Sequence, residues 1–171
     1  MRRRILVLAL LVYAACLLQS TVFGYIEILR IRPNLLLVLA VTISLIRANM
    51  EAAFMGLVCG LAMDTLIGRT LGWYGMCLFL VCFAIGMINS KLYKENPLIP
   101  IFFVFVSSLT VELMYYFINF FLRGYQDFGF VLTGIILPES LYNSVLTLFV
   151  YPLVLQLYKK LDKYNFVHTR L

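Results

Sequence analysis

Six apolar runs separated by short charged turns limit this chain more than any other feature of it. They fall at about 5–22, 33–47, 52–67, 73–88, 100–122 and 138–158, and each is long enough for a helix. With 63% hydrophobic residues, 13% charged residues and a mean hydropathy of +0.97, little of the chain is left for water. A soluble domain cannot hide that much apolar surface, so the expected fold is all-α: a polytopic membrane protein folded as one compact six-helix transmembrane bundle over 1–171. The formal charge of +6 calls for no nucleic-acid partner, because the bases collect at the ends of the apolar runs and not in a soluble segment interleaved with aromatics.

The first run follows Met1-Arg2-Arg3-Arg4 and imitates a secretory signal. It leads into Gln19-Ser20-Thr21 without a small-x-small cleavage site, and more spans follow, so an uncleaved first helix is expected. Gln19 is its one strongly polar interior position, suited to a helix-helix hydrogen bond or an interface contact. Pro33 suits a helix's first turn, but the apolar run behind it is only about a dozen residues. A helix that short implies a thinned bilayer, a dip in the surface or burial among its neighbours. Trp73 and Tyr74 stand where an aromatic belt is expected. Apolar character then persists from 128 to 158, too long for one span and too short for two; Pro138 is read as the break, leaving 130–137 as a short outer or re-entrant segment. The four cysteines all lie in apolar runs and are expected as reduced core residues.

Within the third run Gly56, Gly60, Asp64 and Gly68 recur every four residues and form one stripe on a helix. Small residues at this spacing let two membrane helices approach closely, either inside the bundle or toward a partner. A carboxylate at mid-bilayer costs about 2.5–3.5 kcal/mol, so Asp64 must face the bundle interior, a water-filled cavity or the interface. In the fifth run Glu112, Tyr115, Tyr116 and Asn119 share a polar and aromatic face, with Glu112 the best candidate for an ion or ligand contact and a hydrogen-bonded tie between helices its alternative. Glu139 stands in the first turn of the last helix, where the helix dipole favours it, and Asn143 lies one turn on. Whether the three acids converge is not legible from spacing. No hydrolase, nucleotide-binding or metal-ligand pattern occurs, so no catalytic residue, metal ligand or cofactor is assigned.

With the amino terminus inside and six spans, ten Lys and Arg fall on the cytoplasmic side and four outside, which satisfies the positive-inside rule and puts the carboxyl terminus in the cytoplasm as well.

The segments LQSTVF at 18–23, RIRPNLLLVLAV at 30–41, GLVCGLAMDTLIGRTLGWYG at 56–75 and LYNSVLTLFVYPLVL at 141–155 together resemble the rod shape-determining membrane protein family MreD. The resemblance implies a non-enzymatic protein of the bacterial inner membrane. It would bind the bitopic protein MreC and, through it, work with MreB, a SEDS-family glycosyltransferase and a class B penicillin-binding transpeptidase in peptidoglycan synthesis during elongation. It also implies a fold like the substrate-binding subunits of energy-coupling-factor transporters, with Glu112, Asn119, Glu139 and Asn143 as lining of an outward pocket. Two rival functions stay open: the substrate-binding subunit of a vitamin-type transporter, and an intramembrane hydrolase using Asp64 or Glu112.

Overall fold

The computed structural model describes residues 2–23, 25, 27, 31–47, 49–67, 71–89, 98–119 and 128–168. Gly68, the turn bases Arg69, Lys91, Lys94 and Arg123, and the side chain of Asn119 lie outside what is described. The described elements are all helical: α1 (Arg2–Thr21), α2 (Leu35–Ile46), α3 (Asn49–Ile67), α4 (Trp73–Ile88), α5 (Leu98–Asn119), the single turn α6 (Phe128–Val131), a π-helical turn (Leu132–Ile136) and α7 (Leu137–His168).

The short helix is the centre of the bundle. Every residue of α2 from Leu35 to Leu45 is buried, and α2 packs on α1, α3, α4, α5 and α7. A helix apolar on all sides must be enclosed on all sides. At 12 residues it is only about 18 Å long, short for a lipid-facing span but unconstrained by bilayer thickness in a helix jacketed by protein. Of the explanations open for its shortness, burial among neighbours is the one that holds. Among the described residues three helical stretches are long and apolar enough to cross a membrane, Met50–Ile67, Leu98–Ile118 and Phe128–Leu161, and three shorter apolar helices accompany them.

The α3–α4 hairpin has the closest packing. A Cβ on Gly60 would stand 2.5 Å from the Gly75 Cα, and one on Gly56 would stand 2.7 Å from the Leu78 carbonyl oxygen and the Cys82 Cβ. The stripe of small residues therefore faces α4, inside the chain, and the bare backbones touch where side chains are missing. Gly72, at φ +98°, makes the left-handed turn from which α4 starts. Cys59, Cys77 and Cys82 are buried and Cys16 half-buried, all as free thiols.

Pro138 does not open a new helix. The chain stays helical from Phe128 through the π turn into α7, where Leu137 N–H donates to the Leu132 carbonyl. A proline ring crowds the carbonyl one turn before it and offers no N–H; widening that turn to a five-residue repeat accommodates both defects without ending the helix. The expected segment 130–137 is therefore α6 and the π turn, continuous with the last helix.

Candidate functional site

The site is built where α2 begins. Asn34 caps α2 by accepting the Leu37 N–H at 3.0 Å through Oδ1, which satisfies one of the amide donors a helix start leaves open. Its remaining groups reach across the molecule. Asn34 Nδ2 donates to the Tyr74 hydroxyl of α4 at 2.6 Å, and the Asn34 backbone N–H donates to Asn143 Oδ1 of α7 at 2.7 Å. Gln19 of α1 clasps the same peptide from the other side, its Nε2 donating to the Pro33 carbonyl at 2.9 Å and its Oε1 accepting the Leu35 N–H at 2.8 Å.

From this knot two branches lead to α5. Tyr74 donates its hydroxyl hydrogen to Glu112 Oε1 at 2.8 Å, and Asn143 Nδ2 donates to Ser108 Oγ at 2.6 Å. Tyr74 is held in turn by α3. Asp64, 1% exposed, accepts the backbone N–H groups of Gly72 (2.9 Å) and Gly75 (3.0 Å) at Oδ2 and that of Tyr74 (3.2 Å) at Oδ1. It thus does for α4 what an N-cap side chain ordinarily does, from a neighbouring helix. Gly72, at the cap position itself, has no side chain to do this. The geometry is reached because the Gly56/Gly60 approach brings the end of α3 against the start of α4.

All six long helices thus meet in one hydrogen-bonded network around the Pro33-Asn34-Leu35 peptide. Each buried bond adds about 0.5–1.5 kcal/mol, but leaving a buried partner unpaired costs about 1–3 kcal/mol, so the network specifies a single arrangement of helices more than it adds raw stability. Ser140, Ser144 and Thr147 on α7 give their hydroxyl hydrogens back to their own helix, to the carbonyls of Ile136, Ser140 and Asn143.

Beside the network an open cleft of about 720 Å³ runs between the end of α1, the ends of α3 and α5, and the π turn. Glu112 and Glu139 line it together with Gln19, Tyr74 and Tyr115, and its wall carries Met63, Leu66, Ile67, Phe130 and Ile135. Glu139 shares this lining with Glu112, one turn before Asn143 on α7. The Tyr115 ring meets Tyr74 edge-on with centroids 5.5 Å apart. The opposite end of the bundle is closed differently: the Arg47 guanidinium lies 4.8 Å over the ring of buried Tyr158, and Asn89 Nδ2 donates to the Ser44 carbonyl at 3.3 Å.

The acids separate into two groups. Asp64 turns away from the cleft into the α3–α4 hairpin, whereas Glu112 and Glu139 face the same space. Gln19 contributes to both the knot and the cleft. Asn143 is fully buried in the knot and is absent from the cleft wall. Tyr116 is buried against Phe128. Tyr74 corrects the aromatic-belt expectation: Trp73 is exposed, but Tyr74 is 1% exposed and points into the bundle, because its hydroxyl has two polar partners there. Asn34, Tyr74 and Ser108 join the site beyond the residues expected there. A Pro-Asn pair opening an apolar helix is a readable cap signal; the far partners of Asn34 carry no local signature.

Residues 1–161 match the family of the rod shape-determining protein MreD. The chain belongs to the MreD family. A match of this length takes in every helix of the network and the cleft beside it, so membership covers the whole bundle and not an isolated motif. It makes the chain a multi-pass membrane protein with a role in rod-shape determination, in a family of generally non-enzymatic proteins. No curated protein and no solved structure matches the chain, so the likeness to energy-coupling-factor subunits has no structural support.

Proposed function

We propose that this MreD-family protein is a non-enzymatic scaffold of the bacterial elongation complex, seated in the inner membrane with both termini in the cytoplasm, which binds MreC and through it helps place peptidoglycan synthesis. MreB, the SEDS-family glycosyltransferase and the class B transpeptidase are then indirect partners. The observation that carries this reading is the division of labour between interior and exterior. Polar side chains from all six long helices are consumed in tying the bundle together, while large apolar side chains line its outside. On α1 Ile5, Leu6, Leu10 and Tyr13 are exposed, and on α7 Leu141, Val145, Phe149 and Leu153 are exposed. A rigid body with such a surface acts by touching other helices in lipid.

Between α1 and α3, toward the Arg47 end, a mostly apolar groove of about 470 Å³ is lined by Ile5, Leu8, Val12, Phe54 and Val58, with Glu51 also on its wall. It suits a single transmembrane helix such as MreC's. The test is co-purification of MreC with the wild type and with Phe54→Arg and Val58→Arg, each checked for an unchanged elution volume. Loss of MreC and rounding of cells with the folded variants supports the reading; full recovery of MreC with both refutes the groove as its seat.

A further inference from the structure

The cleft beside the Asn34 knot is not explained by a scaffold. Its lining holds two acids, Glu112 and Glu139, in a part of the chain where the surrounding helices are apolar. Among the described residues the only cation on its wall is Arg32, which is paired with Glu27 at 3.2 Å and stands at the exposed rim. Glu112 receives one hydrogen bond, from Tyr74, and keeps acceptor capacity toward the cavity that Glu139 also lines. Two acids lining one cavity repel when both are ionised, and a proton or a cation from outside the chain relieves that repulsion.

The rest of the wall says which kind of cation fits. Tyr115, Tyr74 and Phe130 place aromatic rings on the cleft, and ring faces attract organic ammonium groups. Met63, Leu66, Ile67 and Ile135 add an apolar lining to the same cleft, and Leu66, Phe130 and Ile135 are exposed, so this lining reaches the bundle's surface. A bare metal ion would use the carboxylates and leave this strip idle; a small water-soluble amine would do the same. An amphiphile uses both.

We propose that this cleft binds the ammonium-bearing head of an amphiphile, with the ammonium at Glu112 and Glu139 and the chain laid along Met63, Leu66 and Ile135. The site is independent of MreC binding, which the opposite end of the α1–α3 interface carries, and either can fail alone.

The test is thermal unfolding of the purified full chain in a neutral detergent, titrated with lysophosphatidylethanolamine, dodecylamine, lysophosphatidylglycerol and ethanolamine. Binding stabilises the folded state by RT ln(1 + L/Kd), with L the free ligand concentration, so the unfolding temperature rises with the logarithm of ligand concentration once ligand exceeds Kd. The two ammonium-bearing amphiphiles are expected to stabilise the protein and the anionic lipid of equal chain length is not. Glu112→Gln and Glu139→Gln, which keep a hydrogen-bonding carbonyl, are expected to weaken the response about tenfold each while unfolding at or above the wild-type temperature without ligand. Dodecylamine alone would assign the site to a simple amine, and lysophosphatidylethanolamine alone to a lipid headgroup; both keep the proposal. Equal stabilisation by lysophosphatidylglycerol, saturation by ethanolamine at the same concentration, an undiminished response in the folded variants, or no response in the wild type overturns it.

Discussion

Asn34 and Tyr74, forty residues apart in sequence, meet at 2.6 Å between side-chain nitrogen and hydroxyl oxygen, and the same hydroxyl passes its hydrogen to Glu112. Tyr74 therefore accepts from the cap of α2 and donates to α5 while its own backbone is gripped by Asp64 of α3. Four helices meet at this one residue, three of them through its phenol.

Removing that hydroxyl tests the junction. Tyr74→Phe keeps the ring and its edge contact with Tyr115 but leaves Asn34 Nδ2 and Glu112 Oε1 without their partner. A loss of about 2 kcal/mol or more is expected, read as a lower unfolding temperature in detergent. An unchanged temperature would mean the hydroxyl contributes nothing to the fold.

Asp64 is expected to show a graded series. Asp64→Asn keeps one acceptor oxygen but turns an NH₂ toward backbone N–H groups; Asp64→Ala removes all three acceptor contacts. We expect the alanine variant to lose about 2–3 kcal/mol and the asparagine variant less, with hydrogen exchange at the Gly72, Tyr74 and Gly75 amides rising in both. Exchange that stays at the wild-type rate would remove Asp64 from its capping role.

At the glycine contacts the expected order of damage follows the space available. Gly60→Leu must pry α3 from α4, since the clash is with Gly75 backbone; Gly60→Ala does so to a lesser degree, costing about 1–3 kcal/mol. Gly72→Ala meets no atom within 4 Å and suffers only its left-handed φ, about 1–2 kcal/mol. Unfolding midpoints for the three variants check the order; a tolerated Gly60→Leu would refute backbone contact at that position.

Gln19 and Asn143 hold the same peptide from α1 and α7, so their losses are expected not to add. A double-mutant cycle of Gln19→Ala and Asn143→Ala should return a coupling of about 0.5–3 kcal/mol. Coupling near zero would show two separate contacts and not a knot.

Reading the sequence recovers what periodicity controls. The apolar runs mark all six long helices, the four-residue recurrence of Gly56, Gly60 and Asp64 marks the face that meets α4, and the polar face of α5 points to Glu112 and Tyr115. Periodicity fixes a residue's face on its own helix but not the rotation of that helix against its neighbours, so the convergence of Glu112 with Glu139 and the divergence of Asp64 are invisible before the fold. Asn34 and Asn143, 109 positions apart, are ordinary asparagines until α2 and α7 are side by side. At Pro138 the local rule misleads: proline stops a regular α-helix, but the preceding π turn absorbs it, and only the backbone geometry shows that.

On the proposed function, a bundle knotted at Asn34 meets its partners through its apolar exterior. Photo-crosslinking in living cells tests it most directly, with the probe placed in turn at Phe54 in the α1–α3 groove, at Phe149 on the open face of α7, and at Leu36 in the fully buried core. Crosslinks to MreC from Phe54, to MreC or other membrane proteins from Phe149, and none from Leu36 are the predicted result. Partner crosslinks from Leu36, or none from either exposed position in cells that keep their rod shape, would contradict it.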